Sequence, residues 1–394
     1  MQDNTMTNLP QGWEKFNFDN IFYSPSSKNY QLNTKDYLDK GCIPIIDQSK
    51  KFIIGYSNNY EKIFKINNCN NSCIIFGDHT RVLKFIDFDF IVGADGVKIL
   101  LNKDIERFNI KFLFFQLLYK DIPLLGYRRH FSVLKQNTFI IPPLKEQERI
   151  VGILDESFAN IDESIKNLEQ DLLNLDELMQ SALQKAFNPL KDNAKENYQL
   201  PQGWEWKSLG DIAEIQIGKT PSRNNIDFFQ GKNIWLSIRD LKSKFVSSSS
   251  EKISNEAISK TNMKIVPKGT LLMSFKLTLG KTAFADCDLY TNEAIAAIFI
   301  KDKNINKYFL DYALKFTDLE KYVDNAVKGK TLNKQKLKQI KIPLPPLQEQ
   351  EQIASYLDEL SLNIKDLKQN YQTQIKNLQE LKKSLLDRAF KGRL

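Results

Sequence analysis

The chain has 394 residues, 42% hydrophobic and 26% charged, with a net charge of +8, which fits a folded protein of two or three domains rather than a disordered one. No apolar run reaches the ~18 residues of a membrane-spanning helix, and Met1–Pro10 is polar without an apolar core, so neither a span nor a secretory leader is expected. The four cysteines do not suggest a disulfide framework and read as reduced residues of a cytoplasmic protein; a zinc site built from Cys42, Cys69, Cys73 and His79 is the alternative, but its spacing matches no standard pattern.

The organising feature along the chain is a repeat. Leu9-Pro10-Gln11-Gly12-Trp13-Glu14 recurs unchanged as Leu200-Pro201-Gln202-Gly203-Trp204-Glu205. Pro142-Pro143-Leu144-Lys145-Glu146-Gln147-Glu148 recurs as Pro345-Pro346-Leu347-Gln348-Glu349-Gln350-Glu351, and Ala186-Phe187 as Ala389-Phe390. These borders divide the chain into a head (1–145), a long helix (146–187), a linker (188–199), a second head (200–347) and a second long helix (348–394). Basic residues against acidic ones number 19 to 14 in residues 1–145, 5 to 12 in 146–197, 24 to 15 in 198–347 and 8 to 7 in 348–394. Two basic heads on an acidic connector suit an anionic partner.

In the first head, Ile43–Ile46, Cys73–Phe76 and Phe90–Leu101 read as strands and Asn109–Tyr119 as a helix. The turn Gly77-Asp78-His79-Thr80-Arg81 offers His79, Thr80 and Arg81 for phosphate or base-edge contacts. Tyr127, Arg128 and Arg129 form a second candidate, an aromatic beside paired guanidiniums. His130 is expected at the surface and is given no catalytic role.

The Pro-Pro-Leu string opens the first long helix, where a missing N–H costs nothing and glutamates face the positive end of the helix dipole. Leu154, Ile161, Leu168 and Leu175 recur every seven residues, as do Phe158, Ile165 and Leu172, and the two rows together form a coiled-coil seam. The second long helix repeats the pattern with Leu357, Ile364, Tyr371, Leu378 and Leu385, beside Leu360, Leu367 and Leu381; Gln374 and Arg388 interrupt the companion row. Two such stripes at equivalent places predict an antiparallel pair with pseudo-two-fold symmetry. Packing of each helix on its own head is the alternative.

The second head reads as strands at Ile212–Ile217, Ile234–Ile238, Thr270–Phe275 and Ala294–Ile300, with a helix at Asn306–Phe316. Its candidate contacts are Lys219, Thr220, Ser222, Arg223 and Asn224 in one turn, Lys276, Thr278 and Lys281 in another, and Lys330 in a third. Three Gly-Lys-Thr triplets occur, but the places where a phosphate-binding loop needs its first glycine hold Ala213, Phe275 and Asp324. No dinucleotide fingerprint, Pro-Asp nuclease opening or amino-methyltransferase tetrapeptide occurs either. The composite is an α+β chain of two mixed α/β heads without visible catalytic machinery.

The order head, helix, head, helix, with Leu-Pro-x-Gly-Trp opening each head and Pro-Leu-x-Glu-Gln opening each helix, resembles the specificity subunits of type I restriction–modification systems. Gly218-Lys219-Thr220-Pro221-Ser222-Arg223, Ile234–Leu241 and Leu289-Tyr290-Thr291-Asn292 are similar to target-recognition-domain strings. So are Ile45-Ile46-Asp47-Gln48, Phe76–Arg81 and Gly93-Ala94-Asp95-Gly96 in the first head. The resemblance implies that each head reads half of a bipartite duplex DNA target and that the helix pair sets the spacing. It further implies that methyltransferase subunits, two of them, dock on the helices and that a translocase–nuclease subunit joins them. S-adenosylmethionine, ATP and Mg²⁺ would then serve those partners and none would bind this chain. A related system with a fused methylase–nuclease partner, or a coiled-coil adaptor without catalysis, are the competing readings.

Overall fold

The computed structural model describes residues 10–69, 71–93, 95–123, 126, 129–188, 199–323 and 332–394. They form two compact units, Met1–Glu169 with Tyr371–Leu394, and Gln170–Asn370. The division cuts both long helices in the middle. Each unit holds one head, the first half of the helix that follows it, and the last half of the other helix.

The Pro-Gln-Gly-Trp string is a β-turn in both heads. Trp13 N–H donates to the Pro10 carbonyl and Trp204 N–H to the Pro201 carbonyl, each at 3.1 Å. Gly12 and Gly203 hold φ of 82° and 88°, the left-handed third position of a type II turn that favours glycine. The strand that follows, Glu14–Asn17 or Glu205–Ser208, pairs antiparallel with the last strand of its own head, Thr138–Ile141 or Lys341–Leu344. The two borders of each head therefore lie side by side as a neck.

Within the heads, dissimilar sequences reach one topology. In the first, a four-stranded sheet runs in the order Phe22–Tyr23, Val97–Asn102, Cys73–Gly77, Leu83–Ile86, beside a three-stranded sheet Gly55–Ser57, Ile43–Ile46, Ile91–Val92. In the second, five strands run Ala213–Ile217, Ile295–Ile300, Leu271–Ser274, Thr282–Ala285, Phe245–Val246, beside Glu251–Ile253, Asn233–Leu236, Tyr290–Thr291. The apolar run Phe90–Leu101 is thus two strands in two sheets, not one, because Gly93 and Gly96 interrupt it and Gly96 sits at φ 88°. Likewise Ile212 belongs to a helical turn, Leu209–Ile212, which Ser208 caps through the N–H of Asp211.

The long helices run Leu144–Phe187 and Leu347–Phe390, each about 66 Å at 1.5 Å per residue. Pro143 and Pro346 precede the first helical residue and offer their carbonyls to Gln147 and Gln350 N–H. The repeated glutamine is buried in both halves. Gln147 Oε1 accepts from Asn109 N–H at 2.8 Å, and its Nε2 donates to the carbonyls of Arg107 and Pro142 at 2.9 and 2.8 Å. Gln350 does the same with Asn306 N–H (2.8 Å), Asn304 (3.0 Å) and Pro345 (2.9 Å). Asn109 and Asn306 in turn cap the helices Ile110–Tyr119 and Lys307–Phe316 with their side chains. One amide per half thus ties head, neck and long helix together.

The helices pair antiparallel. In the first unit Lys382 bridges to Asp162, and in the second Lys368 bridges to Asp176, two heptads on along one helix and two back along the other. Leu154, Ile161 and Leu175 are buried, and Phe158, Ile165, Leu168 and Leu172 half-buried. On the second helix Leu357 and Ile364 are buried, and Leu360, Tyr371, Leu378 and Leu385 half-buried. Leu367 and Leu381 correct the expected seam, since they lie 41% and 46% exposed. Lys368, Ile375 and Lys382 face inward in their stead. Their row lies on the other side of the Leu357–Leu385 row, and the lysine stems supply the apolar cover while the ammonium groups reach aspartates. Lys382 Nζ also lies 4.7 Å from the Phe158 ring centroid. Gln374 and Arg388 lie on the outward row and so interrupt nothing.

The repeated Ala-Phe pair ends each helix inside a head core. Phe187 packs on Phe309 and Phe316, with centroids at 5.3 Å, and Phe390 on Phe112 and Tyr119 at 5.4 and 5.3 Å. The second helix then stops at a Schellman turn, where Gly392 at φ 65° lets Arg393 N–H reach the Arg388 carbonyl.

Replacing Gln350 by leucine leaves one N–H and two carbonyls without their buried partner, and should cost about 3 kcal/mol of stability. The exposed Gln352→Leu on the same helix should cost under about 0.5 kcal/mol. Urea unfolding of the two variants measures the difference; equal midpoints would mean the glutamine is not a clamp.

Candidate nucleic-acid interface

The predicted contact loops leave one end of each main sheet. In the second head Ile217 pairs with Ala296 and Ser274 with Ile295. The Lys219–Asn224 and Lys276–Lys281 loops therefore both emerge beside the start of the strand Ile295–Ile300. In the first head Gly77 pairs with Val97, placing the His79–Arg81 turn at the start of the strand Val97–Asn102.

That turn is built on buried polar atoms. Asp78 Oδ1 accepts from Phe131 N–H at 2.9 Å, and its carbonyl accepts from His130 N–H at 2.8 Å and lies 2.9 Å from His130 Nδ1. His130 is fully buried, so the expectation of a surface histidine is corrected: it clips two loops together. Thr80 Oγ1 donates to the Gln48 carbonyl at 2.5 Å and His79 N–H to Gln48 Oε1 at 3.1 Å. Arg81 sits at φ 62° and its guanidinium donates to the Ile122 carbonyl. Arg81, expected at DNA, thus turns its guanidinium inward. Its long side chain closes the turn onto the segment after the helix Ile110–Tyr119.

A cavity of about 650 Å³ opens beside this turn. It brings together His79 and Arg129 with Lys28, Lys98, Lys103 and Lys135. Lys98 and Lys135 Nζ each lie 5.4 Å from the centroid of Phe131. These lysines come from three separate segments, so no local motif announced them. Tyr127, Arg128 and Lys330 lie outside the described residues. Among those that are described, no three His, Cys, Asp or Glu side chains gather as a metal site, and Cys73 is buried while Cys42 is exposed.

In the second head the Gly218 backbone passes so close to the Thr291 carbonyl that a Cβ would collide with it. Lys219 Nζ donates to the carbonyls of Thr261 and Asn262 at 2.9 and 3.2 Å, and Thr220 bonds Glu293. Both are partly engaged in shaping the loop, whereas Ser222 and Asn224 are exposed. Arg223 makes a two-point bridge to Glu251 and lies over the rings of Phe229 and Trp235, 4.3 and 5.3 Å from their centroids. Arg239, which sequence reasoning passed over, shares the same carboxylate at 2.5 Å. Arg223 chiefly, with Arg239, holds the Glu251 carboxyl below the usual carboxylate range. Two guanidiniums on one carboxylate leave a net positive patch, with Arg223 already oriented over the rings. On the neighbouring hairpin Thr278 and Lys281 are exposed and Lys276 half-exposed.

Arg81→Met should lower stability by about 1–3 kcal/mol, because a buried carbonyl loses its donor, while Lys281→Met stays within about 0.5 kcal/mol. Matched urea midpoints for the two variants would return Arg81 to the list of free surface cations.

The profile of the type I restriction modification DNA specificity domain matches residues 10–174 and again 201–377. Over 349 residues the chain is 27% identical to the specificity subunit of the type I restriction enzyme EcoR124I/EcoR124II of Escherichia coli, covering 84% of this chain and 82% of that one. A segment of 180 residues, 43% of this chain and 41% of the relative, is 32% identical to the specificity subunit of the type I restriction enzyme MjaIX of Methanocaldococcus jannaschii. A chain solved in a study of complex assembly and conformational transition of the type I restriction–modification system shares the fold, with TM-score 0.74 at 21% identity over 98% of this chain and 100% of that one. With the specificity domain matched in both halves, the chain belongs to the type I restriction–modification DNA specificity family.

Proposed function

We propose that this chain is the specificity subunit of a type I restriction–modification complex, in which each head reads one half of a bipartite, asymmetric duplex DNA target. The observation that carries the reading is the pairing of one topology with two unrelated sets of loop residues. A shared frame with different polar loops at the same sheet end suits two different base sequences. The helix pair sets the distance between half-sites and docks two methyltransferase subunits, and a translocase–nuclease subunit joins through them. S-adenosylmethionine, ATP and Mg²⁺ act on those subunits, and the chain carries out no chemistry of its own. The complex works in the cytoplasm, and no described helix is long and apolar enough to cross a membrane.

Sequencing the methylated sites of a host that carries the complete system tests this directly. The expected motif is split, and exchange of residues 1–145 for those of a relative changes one half-site only. A continuous motif, or one indifferent to the exchange, would sink the proposal. Lys281→Ala should reduce the slope of log affinity against log salt by about one, as expected for a lost phosphate contact. An unaltered slope would move Lys281 off the DNA.

A further inference from the structure

The hairpin between the strands Leu271–Ser274 and Thr282–Ala285 is held rigidly for an exposed loop. Ser274 is fully buried. Its hydroxyl donates to the Thr278 carbonyl at 2.6 Å and accepts from Lys281 N–H at 3.0 Å, and Gly280 N–H donates to its carbonyl at 2.9 Å. On either side of the tip, Phe275 is buried and Leu279 packs against the core of the second unit. Between these two anchors Leu277 stands 77% exposed.

Leu277 also has φ 62°, where a Cβ crowds the backbone and glycine or asparagine is preferred. Stability alone therefore selects against leucine here twice, through strain and through apolar exposure. The corresponding hairpin of the first head also carries a left-handed residue, Arg81, but that side chain bonds the Ile122 carbonyl. Leu277 points to solvent among Lys276, Thr278 and Lys281.

We propose that Leu277 is the apolar base probe of the second head, packing against the 5-methyl group of a thymine in the major groove while the flanking lysines reach phosphates. A tip two chains wide fits that groove, about 12 Å across, and the thymine methyl is the apolar feature its base edges display. The inference rests on the reading of the second head as a DNA reader and names one specificity-determining residue within it.

The experiment uses the complete system with Leu277→Gly, and Leu277→Asn as a second variant that also tolerates the left-handed backbone. Both chains should resist thermal unfolding at least as well as the parent; a lower melting temperature in both would overturn the strain argument. Methylated-site sequencing should show a second half-site relaxed at one T·A position, with the first half-site and the spacer unchanged. In a binding assay with the assembled complex, deoxyuridine for thymine at that position should weaken the parent about fourfold, the worth of one buried methyl, and leave the variants unaffected. An unchanged second half-site, relaxation at a G·C pair, or indifference of the parent to deoxyuridine would overturn the proposal. A parent motif that is not split would instead overturn the reading of the chain as a bipartite reader.

Discussion

The structure of each half depends on one buried glutamine. Gln147 and Gln350 each satisfy one backbone donor and two backbone acceptors drawn from three places: the cap of a head helix, the residue two places before it, and the proline ahead of the long helix. A shorter polar side chain would not span these groups, and an apolar one would strand them. Because all of its partners are backbone atoms, the clamp makes no demand on the side chains of the loops. Loop sequences can therefore diverge while the neck stays fixed, which is the pattern that the two heads display.

The second constraint is the sharing of helices. Each long helix begins at the neck of one head and ends with a phenylalanine inside the core of the other unit, Phe187 among Phe309 and Phe316, Phe390 among Phe112 and Tyr119. Burial of such a ring stabilises by about 1.5–3 kcal/mol, so each core relies on the helix that started elsewhere. The middle of the pair is much more polar. Lys368–Asp176 and Lys382–Asp162 join inward-lying lysines to aspartates that are 70% and 65% exposed, and such bridges are worth about 0–1 kcal/mol. They fix the register more than they add stability, because a shift of one heptad would separate both pairs at once.

The sequence made the frame legible because the frame is where it repeats. The turn glycines, the prolines, the glutamines and the terminal phenylalanines all recur, and each has a local stereochemical reason to do so. Heptad spacing found the first helix's seam in full but misplaced part of the second. There leucines at one flank and lysines at the other compete for the same groove, and an apolar count cannot see that a lysine stem buries as well as a leucine when an aspartate waits for its head. The strand at Phe90–Leu101 failed for a related reason: apolar continuity does not show where two glycines pass the chain from one sheet to the next. The candidate loops were only half legible. Their charges could be counted, but whether an arginine faces water or a carbonyl is set by a partner far along the chain, as Ile122 decides for Arg81. The lysines around Phe131 come from separate segments and carry no motif at all.

Two devices for presenting charge thus coexist on one scaffold. In the first head an open cavity gathers basic side chains beside three aspartates, with Lys98 and Lys135 near the Phe131 ring. In the second, Arg223 and Arg239 share Glu251, and Arg223 lies over Phe229 and Trp235. Both arginines are more than half exposed in that arrangement, so the pairing costs little to break. A phosphate that replaced the carboxylate would find the Arg223 guanidinium already oriented by the rings. Were Glu251 absent, the same arginines would repel one another and sample many rotamers, and their ordering would fall on the binding step. The carboxylate in the patch, although it has the wrong sign for DNA, is what keeps the two cations in place.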